Sequence, residues 1–358
     1  MIRGHGGEVY HLAREMGLSP GEILDFSSNV SPLPPPEGLY DLLQRHLSEI
    51  EHLPEADSFT LRRALARRFG LSEEAFFPSS GTTEWIFALP EALNPQRVLI
   101  LGPTYADYED AAGRAGVRAH YILARKEEDF QPPLEELEDL IAPGDLVFIC
   151  NPNNPTGAFL KRDTLYGLIS RHPEAVFVVD ESYLPFAAED TESLLSARPF
   201  PENLVVLFSF SKIYRIPGLR LGLATAEGPL SEVLRGRELP WAVNRLAQVA
   251  GEFLVGQREH EARVRKFLAE ERPRVSLRLS ALGLSVFPSR TNFLLVELPE
   301  GISGKEIRDR LLTEVRLLIR ACGNFRGLSD RFIRLALRLP EENDKLLYTL
   351  EQVLKDLS

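Results

Sequence analysis

An alternation of strand and helix patterns through the middle of the chain predicts an α/β protein built on a mainly parallel sheet. Apolar, β-branched runs at 98–101, 146–150 and 204–208 have the character of buried strands. Helical patterns such as 134–141 separate them. Continuous apolar strands alternating with helices are typical of parallel sheets covered on both faces, so the middle of the chain is expected to form such a sheet.

The order of the predicted elements divides the chain into an arm and two domains. The sheet strands are expected at 98–101, 119–123, 146–150, 175–179, 204–208 and 221–225, with helices at about 9–16, 38–52, 58–70, 85–93, 134–141 and 163–170 and one ending near Gly116. A helix starting within 239–244 and a long helix at 257–279 lead to strands at 285–287, 292–297, 317–320 and 332–337 and helices at 305–314 and 342–357. We therefore expect an N-terminal arm (1–36) that packs with the small domain, a large α/β domain (37–255) and a small α+β domain (256–358).

Composition narrows the class of protein. The 358 residues are enough for two domains, and 44% hydrophobic residues can fill their cores. A net charge of −11 argues against a nucleic-acid or anionic-membrane partner. The start of the chain lacks the apolar core of a signal peptide, and no apolar run is long enough for a transmembrane helix. The distant Cys150 and Cys322 favour a cytoplasmic location and offer no metal motif.

The segment 209–220 holds a candidate catalytic lysine. Lys212 follows a buried strand, and partial desolvation there favours the neutral amine that Schiff-base chemistry needs. Ser209, Ser211 and Arg220 lie beside it in sequence and suit a phosphate. Lysine and phosphate ligands together suggest pyridoxal 5'-phosphate (PLP), although a solvated surface lysine is the alternative for this segment alone.

A second segment offers a phosphate cradle. Ser80, Gly81, Thr82 and Thr83 form a turn that leads into an apolar helix. Such a turn presents free N–H groups and the positive end of the helix dipole. An ordinary helix cap is the alternative, and the turn alone does not decide between them.

Polar residues follow several strands, where ligands bind to parallel sheets. Asp180 suits the pyridine nitrogen of PLP, and Asn154 and Tyr183 suit its 3-oxygen. Tyr105 is placed to stack on the ring. Together with Lys212, these residues meet the chemical demands of PLP. Separate structural roles for each residue would not explain why all of them occur in one chain.

The same motifs resemble the aspartate-aminotransferase superfamily of PLP enzymes, fold type I. They are Asn-Pro-Asn-Asn-Pro-Thr-Gly at 151–157, Asp180-Glu181-x-Tyr183, Ser209-x-Ser211-Lys212 and Gly-Leu-Arg-Leu-Gly at 218–222. Segments at 5–7, 24–33, 216–220, 239–244, 318–328 and 331–338 resemble histidinol-phosphate aminotransferases and, more closely, the L-threonine-O-3-phosphate decarboxylases of cobalamin synthesis. The resemblance implies a seven-stranded-type sheet and a homodimer.

The resemblance also implies roles for the candidate residues. Lys212 would bind PLP and shuttle protons, Asp180 would pair the pyridine nitrogen, and Asn154 would bond the 3-oxygen. Arg334 matches the arginine that grips the substrate carboxylate. The substrate phosphate would be held by Arg320 and the turn of His5, Gly6 and Gly7, with Asn29 close to the substrate.

Two positions depart from the family pattern. Leu53 stands where a tyrosine usually reaches the cofactor phosphate of the neighbouring subunit, and Ser79-Ser80-Gly81 replaces Gly-Asn-Gly in the cofactor-phosphate turn. These departures weaken the phosphate assignment and leave Lys212 and Asp180 untouched.

Three functions remain open at the level of sequence. Decarboxylation of threonine phosphate is favoured by the arm and by the C-terminal arginines. Transamination of the histidinol-phosphate type starts from the same cofactor chemistry, and the bond that breaks depends on how the substrate is gripped. A non-catalytic regulator on the same fold is disfavoured because Lys212 and Asp180 are both present.

Overall fold

The computed structural model describes residues 6–188 and 191–357. The strands are β1 (Leu24–Asp25), β2 (Phe76–Ser79), β3 (Val98–Gly102), β4 (Ala119–Leu123), β5 (Leu146–Cys150), β6 (Val176–Asp180), β7 (Leu204–Ser209), β8 (Gly222–Thr225), β9 (Ser285–Val286), β10 (Phe293–Glu297), β11 (Leu317–Leu318), β12 (Arg320–Ala321) and β13 (Phe332–Ala336). The helices are α1 (Val9–Met16), α2 (Leu39–Arg45), α3 (Phe59–Phe69), α4 (Thr83–Leu93), α5 (Asp107–Arg114), α6 (Leu134–Leu140), α7 (Arg162–Arg171), α8 (Phe210–Ile213), α9 (Gly228–Arg235), α10 (Arg245–Val255), α11 (Arg258–Ala281), α12 (Gly304–Val315) and α13 (Pro340–Leu357).

A seven-stranded sheet forms the centre of the larger part of the molecule. Its strand order is β2-β8-β7-β6-β5-β3-β4. All neighbouring pairs are parallel except those of β8, which runs antiparallel to β2 and β7. Every residue of β3, β5 and β7 is buried, as expected for strands covered by helices on both faces. The predicted α/β fold with a mainly parallel sheet is confirmed.

A smaller antiparallel sheet lies towards the C-terminus. It has the order β12-β13-β10-β9, and α12 and α13 pack against each other beside it. The predicted strand at 317–320 proves to be two strands in different sheets. Leu317 and Leu318 pair with the arm strand β1, whereas Arg320 and Ala321 pair with β13. The chain therefore switches sheets at Ile319 and ties the arm to the C-terminal part. The domain boundaries themselves stay predictions.

Four elements are not predicted from the sequence: β1, β2, α8 and α9. Strand β2 contains Pro78, which argues against a central strand, but β2 lies at the edge of the sheet, where proline is tolerated. Helix α9 begins at Gly228 with a proline in its first turn, a favoured helix start. Two predicted boundaries also moved: α2 ends at Arg45, and α10 begins only after Asn244, whose side chain accepts a hydrogen bond from the Ala247 N–H at 2.9 Å.

No helix within the described ranges has both the length and the apolar character needed to cross a membrane.

Candidate active site

A cavity of about 660 Å³ opens where the carboxyl ends of the parallel strands meet the C-terminal part of the chain. Among the described residues, all of the predicted site residues except Ser80 line it. His5 lies outside the described residues. The lining residues that were predicted are Gly6, Gly7, Asn29, Gly81, Thr82, Thr83, Tyr105, Asn154, Asp180, Tyr183, Ser209, Ser211, Lys212, Arg220, Arg320 and Arg334.

Lys212 lies on the short helix α8, directly after strand β7. Burial lowers the pKa of its amine to about 8, and the positive charges of Arg334 and Arg220 act in the same direction. The negative charge of Asp180 opposes them. No hydrogen bond to Lys212 Nζ exists in the described part of the chain. A half-buried lysine with a lowered pKa supplies a neutral amine close to physiological pH.

Asp180 ends strand β6, and its carboxylate is held on both oxygens. The Tyr108 hydroxyl donates to Oδ2 at 2.9 Å, and the Ser182 N–H donates to Oδ1 at 2.9 Å. Burial raises the pKa of this carboxyl group, whereas both hydrogen bonds and Lys212 lower it. The site thus holds a buried, oriented carboxylate at the sheet edge.

Asn154 is fixed by the turn that follows strand β5. Its neighbour Asn153 donates to the Pro103 carbonyl at 2.7 Å and accepts from the Thr104 hydroxyl at 2.7 Å, which anchors the turn. A guanidinium N–H of Arg334 donates to Asn154 Oδ1. Because the amide oxygen is engaged, the amide NH2 of Asn154 is the group left for a ligand.

The turn before helix α4 packs tightly around Arg220. Gly81 has φ +91°, and a Cβ there would lie 2.5 Å from a guanidinium nitrogen of Arg220. A Cβ on Gly222 would lie 2.5 Å from the Thr82 backbone nitrogen. Both positions therefore require glycine for the arginine and the helix start to come together. The result is an N–H-rich turn beside a guanidinium, which suits a phosphate.

Ser80 is exposed and lies outside the cavity lining. Its N–H donates to Glu84 Oε2 at 2.9 Å, which ties the turn to the first turn of α4. The role of Ser80 as a phosphate ligand stays a prediction.

Two tyrosines line the middle of the cavity. Tyr183 is buried, and its hydroxyl accepts a hydrogen bond from Asn29 Nδ2 at 3.3 Å. Burial raises the pKa of Tyr183 to about 12, so its hydroxyl stays protonated. Tyr105 lies edge-on to Tyr108, with ring centroids 5.8 Å apart. The contact between Asn29 and Tyr183 brings the N-terminal arm to the sheet edge.

Arg334, on strand β13, is a buried cation. It is 5% exposed, donates to the Ser27 carbonyl at 2.6 Å, and lies over the Phe293 ring at 5.4 Å. Its Nε is buried with no hydrogen-bond partner in the described chain. Within that part of the molecule, Arg334 forms no ion pair with a carboxylate, and burial lowers its pKa. A buried guanidinium without a carboxylate partner favours an anionic ligand.

Arg320 lies on β12 at the same end of the cavity. Its guanidinium donates to the Ala321 carbonyl and to Asn324 Oδ1, both at 2.7 Å, and lies over the Phe325 ring at 5.0 Å. Burial lowers its pKa to about 10, and the charge of Arg334 adds to this effect. Two arginines that repel each other at one end of a cavity are stabilised by a ligand with negative charge.

The described part of the arm closes this end. A Cβ on Gly6 would lie 2.3 Å from the Ser27 carbonyl oxygen, and the Gly7 N–H donates to Ser27 Oγ at 2.9 Å. The hydroxyls of Ser27 and Ser28 donate to Asp25 at 2.6 and 2.5 Å. The described residues of the arm are thus packed against the site.

Three groups that contribute to the site are not predicted from the sequence. Tyr108 and the Ser182 N–H hold Asp180, and the Asp25 carboxylate organises the arm. Tyr108 follows Tyr105 by three residues, at the start of helix α5, so its nearness in sequence was available as a signal. The role of Ser182 is a backbone contact, which side-chain chemistry does not reveal.

Comparison with known proteins gives the class to which this fold and site belong. The chain matches the family model "Aminotransferase class I and II" over residues 15–350. The chain belongs to this family, whose members are PLP-dependent enzymes.

The similar proteins include two kinds of enzyme, threonine-phosphate decarboxylases and histidinol-phosphate aminotransferases. Threonine-phosphate decarboxylase of Salmonella typhimurium is 34% identical over 99% of this chain and 97% of its own length. Histidinol-phosphate aminotransferase of Moorella thermoacetica is 30% identical over 98% of this chain and 89% of its own. The crystal structure of L-threonine-O-3-phosphate decarboxylase from Porphyromonas gingivalis has a TM-score of 0.84 and 31% identity, covering 93% of this chain and 100% of that one. The predicted resemblance to both groups is confirmed.

Proposed function

We propose that the protein catalyses the PLP-dependent decarboxylation of L-threonine O-3-phosphate to (R)-1-aminopropan-2-yl phosphate and CO2, a step of cobalamin biosynthesis. The observation that carries the proposal is Arg334: a buried guanidinium without a carboxylate partner in the described chain, lining the same cavity as Lys212. The similarity to threonine-phosphate decarboxylases over nearly the whole chain supports the same conclusion.

The residues present fit PLP. The tight packing at Gly81 leaves a cradle that a Cβ would fill, with Arg220 and the start of α4 around it for the phosphate. Asp180 would face the ring nitrogen, and Asn154 and Tyr183 the 3-oxygen. Tyr105 would stack on the ring, while Ser209 and Ser211 would add phosphate ligands. Bound PLP supplies an electron sink that stabilises negative charge on the substrate's Cα.

The chain's own residues set the orientation of the substrate. Arg334 would bind the carboxylate, and Arg320 would bind the phosphate with the Gly6-Gly7 turn and His5. Asn29 would contact the substrate from the arm. Gripping two anions at one end of the cavity fixes the rotation of the Cα bonds, and the bond held perpendicular to the ring is the one that breaks. Lys212, whose pKa is about 8, would carry the proton that Cα needs after CO2 has left.

Transamination of the histidinol-phosphate type is the second candidate. The similarity to the Moorella enzyme favours it, because 30% identity over 98% of the chain is close to that of the decarboxylase. Arg334 would suit the carboxylate of an amino donor such as glutamate equally well. The two candidates differ in whether a keto acid is needed.

We also propose a homodimer. Large apolar side chains are exposed in the segments 40–59 and 239–241, with Leu53 75% exposed; the others there are Tyr40, Leu47, Ile50, Phe59, Leu239 and Trp241. The Trp241 N–H donates to the Ala56 carbonyl at 2.9 Å, so the segments are contiguous. A second copy of the chain is the partner this patch fits, and sedimentation of the holoenzyme measures it.

The test of the proposed function is turnover without a keto acid. Purified protein is loaded with PLP and incubated with L-threonine O-3-phosphate alone. We expect CO2 and aminopropanol phosphate in equal amounts. Turnover that appears only when 2-oxoglutarate is added would support the aminotransferase instead. A protein that shows no visible PLP absorption band, and that Lys212→Ala leaves unchanged, would point to the regulator.

A further inference from the structure

Tyr108 is a buried tyrosine whose hydroxyl bonds to Asp180 and also interacts with the buried Cys150 thiol. Its side chain is fully buried, and its ring stacks on Phe148 with centroids 4.8 Å apart and planes 12° apart. The hydroxyl at the end of this stacked ring donates to Asp180 Oδ2 at 2.9 Å. The stacking thus fixes the point from which the hydrogen bond is donated.

Asp180 is gripped from two different elements. Helix α5 supplies Tyr108 to one oxygen, and the turn after β6 supplies the Ser182 N–H to the other at 2.9 Å. A carboxylate bound at both oxygens cannot rotate freely about its Cβ–Cγ bond. Its charge is stabilised by two donors in a place where burial alone would favour the neutral acid.

We propose that Tyr108 is a positioning residue for Asp180: its hydroxyl keeps the carboxylate ionised and aimed at the ring nitrogen of the cofactor. This inference rests on the proposed PLP function, and it assigns a role to a residue that does not itself touch the ring nitrogen. The Asp180 carboxylate and the ring nitrogen of the cofactor would share one proton, and the relative basicity of these two groups decides which of them holds it. When a donor is removed from a buried carboxylate, the carboxylate becomes a stronger base and draws the shared proton to itself.

Several other titratable groups surround Asp180, and the test must separate Tyr108 from them. Lys212 lowers the pKa of Asp180, and Asp180 in turn raises the pKa of the buried Cys150 thiol and of other neighbours. The groups that interact electrostatically with Asp180 are Lys212, Tyr108, Cys150, Tyr105, Tyr183 and Glu181. A tyrosine-to-phenylalanine change at 108 keeps the ring and removes only the donor.

The experiment is a pH titration of the visible absorption band of the PLP-loaded protein. A less positive ring nitrogen withdraws less electron density from the rest of the cofactor. The nitrogen that links Lys212 to the cofactor would then be protonated more easily. Tyr108→Phe is therefore expected to raise the midpoint of the titration by about half to one pH unit, and to weaken PLP binding by about three- to tenfold. Tyr166→Phe is the matched control, because Tyr166 donates to the Pro199 carbonyl at 3.3 Å and does not line the cavity.

A double-variant cycle ties the effect to Asp180. In an Asp180→Asn background, Tyr108→Phe is expected to cause no further shift of the midpoint. An equal shift in both backgrounds, or an unchanged midpoint in Tyr108→Phe, would overturn the inference. Phe148→Leu, which keeps the phenol but removes the ring under it, should shift the midpoint less and in the same direction. If Tyr108→Phe does not fold, an unchanged midpoint in Phe148→Leu overturns the inference instead.

The failure of the inference differs from failure of the proposed function. If the unaltered protein binds PLP and its midpoint is insensitive to residue 108, only the role of Tyr108 falls. If the unaltered protein shows no PLP band at all, the proposed function itself falls.

Discussion

The two ends of the cavity are built in different ways. At the cofactor end, Lys212, Asp180 and Asn154 follow neighbouring strands of one sheet, and Asp180 is held by Tyr108 and the Ser182 N–H from the same large sheet region. At the substrate end, Arg320 and Arg334 come from the small C-terminal sheet, and the arm reaches them from the start of the chain. The hydrogen bond from Arg334 to Ser27 joins residues 307 positions apart.

This difference separates two chemical tasks. The cofactor end carries its own internal counter-charges, because Asp180 and Lys212 act on each other. The substrate end has two mutually repelling arginines, and Arg334 has no ion-pair partner in the described residues. The first end suits a resident group, whereas the second is stabilised when an anionic substrate arrives.

The largest effect is expected at the cofactor end, from Lys212→Ala. Removing the amine removes both the attachment point and the proton carrier, so the rate of CO2 release should fall by about a thousandfold or more. The visible PLP band should also be lost. Lys161→Ala, at an exposed lysine outside the cavity, is the control and should keep both. Retention of the band in Lys212→Ala would contradict the assignment of Lys212 as the attachment point at the cofactor end of the cavity.

Arg334→Ala should have the second-largest effect on activity, and this effect should come from the substrate end of the cavity alone. Removing a buried partner of a carboxylate should lower kcat/KM by about a hundred- to a thousandfold. The PLP band should remain, as absorption spectra can check. Arg338→Gln is the matched control, because Arg338 also bonds an arm carbonyl, that of Asp25, at 3.1 Å but pairs with Glu342. A similar loss of kcat/KM in the control would indicate that Arg334→Ala acts by disturbing the docking of the arm and not by removing a ligand of the carboxylate.

Arg320→Ala should discriminate between substrates. We expect the KM for threonine phosphate to rise about a hundredfold, because a charge-assisted phosphate contact is lost, with little change for plain threonine. Steady-state kinetics with both substrates measures this. Arg326→Ala serves as the control, since Arg326 is a nearby arginine that pairs with Glu109. Equal effects on both substrates would remove Arg320 from the phosphate role.

The smallest expected effect is a pH dependence at the cofactor end. The pKa of Lys212 is lowered to about 8, so its neutral fraction rises as pH increases and levels off above that value. The rate at which cofactor-free protein captures PLP should follow this curve in stopped-flow measurements. Asp180→Asn should move the midpoint lower, because Asp180 raises the pKa of Lys212. A rate that keeps rising to pH 10 would indicate an unperturbed lysine.

The cofactor end could be predicted from the sequence because each of its residues ends a recognisable strand. Parallel strands bring their carboxyl ends to one edge, so sequence order was enough to bring Lys212, Asp180 and Asn154 together. Tyr108 escaped notice because its importance lies in where a stacked ring points its hydroxyl. Proximity in sequence predicts Ser80 in the phosphate turn, but the residue is exposed and does not line the cavity.

The substrate end was accessible only through family resemblance. Nothing in the local sequence pairs Leu24 with Leu317, or splits the strand at 317–320 between two sheets. Those pairings depend on the packing of the whole chain. Without them, Arg320 and Arg334 are simply two of many arginines.

The most direct measurement of the central claim follows which bond of the substrate breaks. PLP-loaded protein is incubated with L-threonine O-3-phosphate in D2O without a keto acid, and the products are analysed by mass spectrometry. Decarboxylation predicts aminopropanol phosphate that retains the original Cα hydrogen and carries one deuteron on that carbon in place of CO2. Deuterium at Cα of recovered threonine phosphate, with no CO2 released, would show that the Cα–H bond breaks instead and would contradict the account.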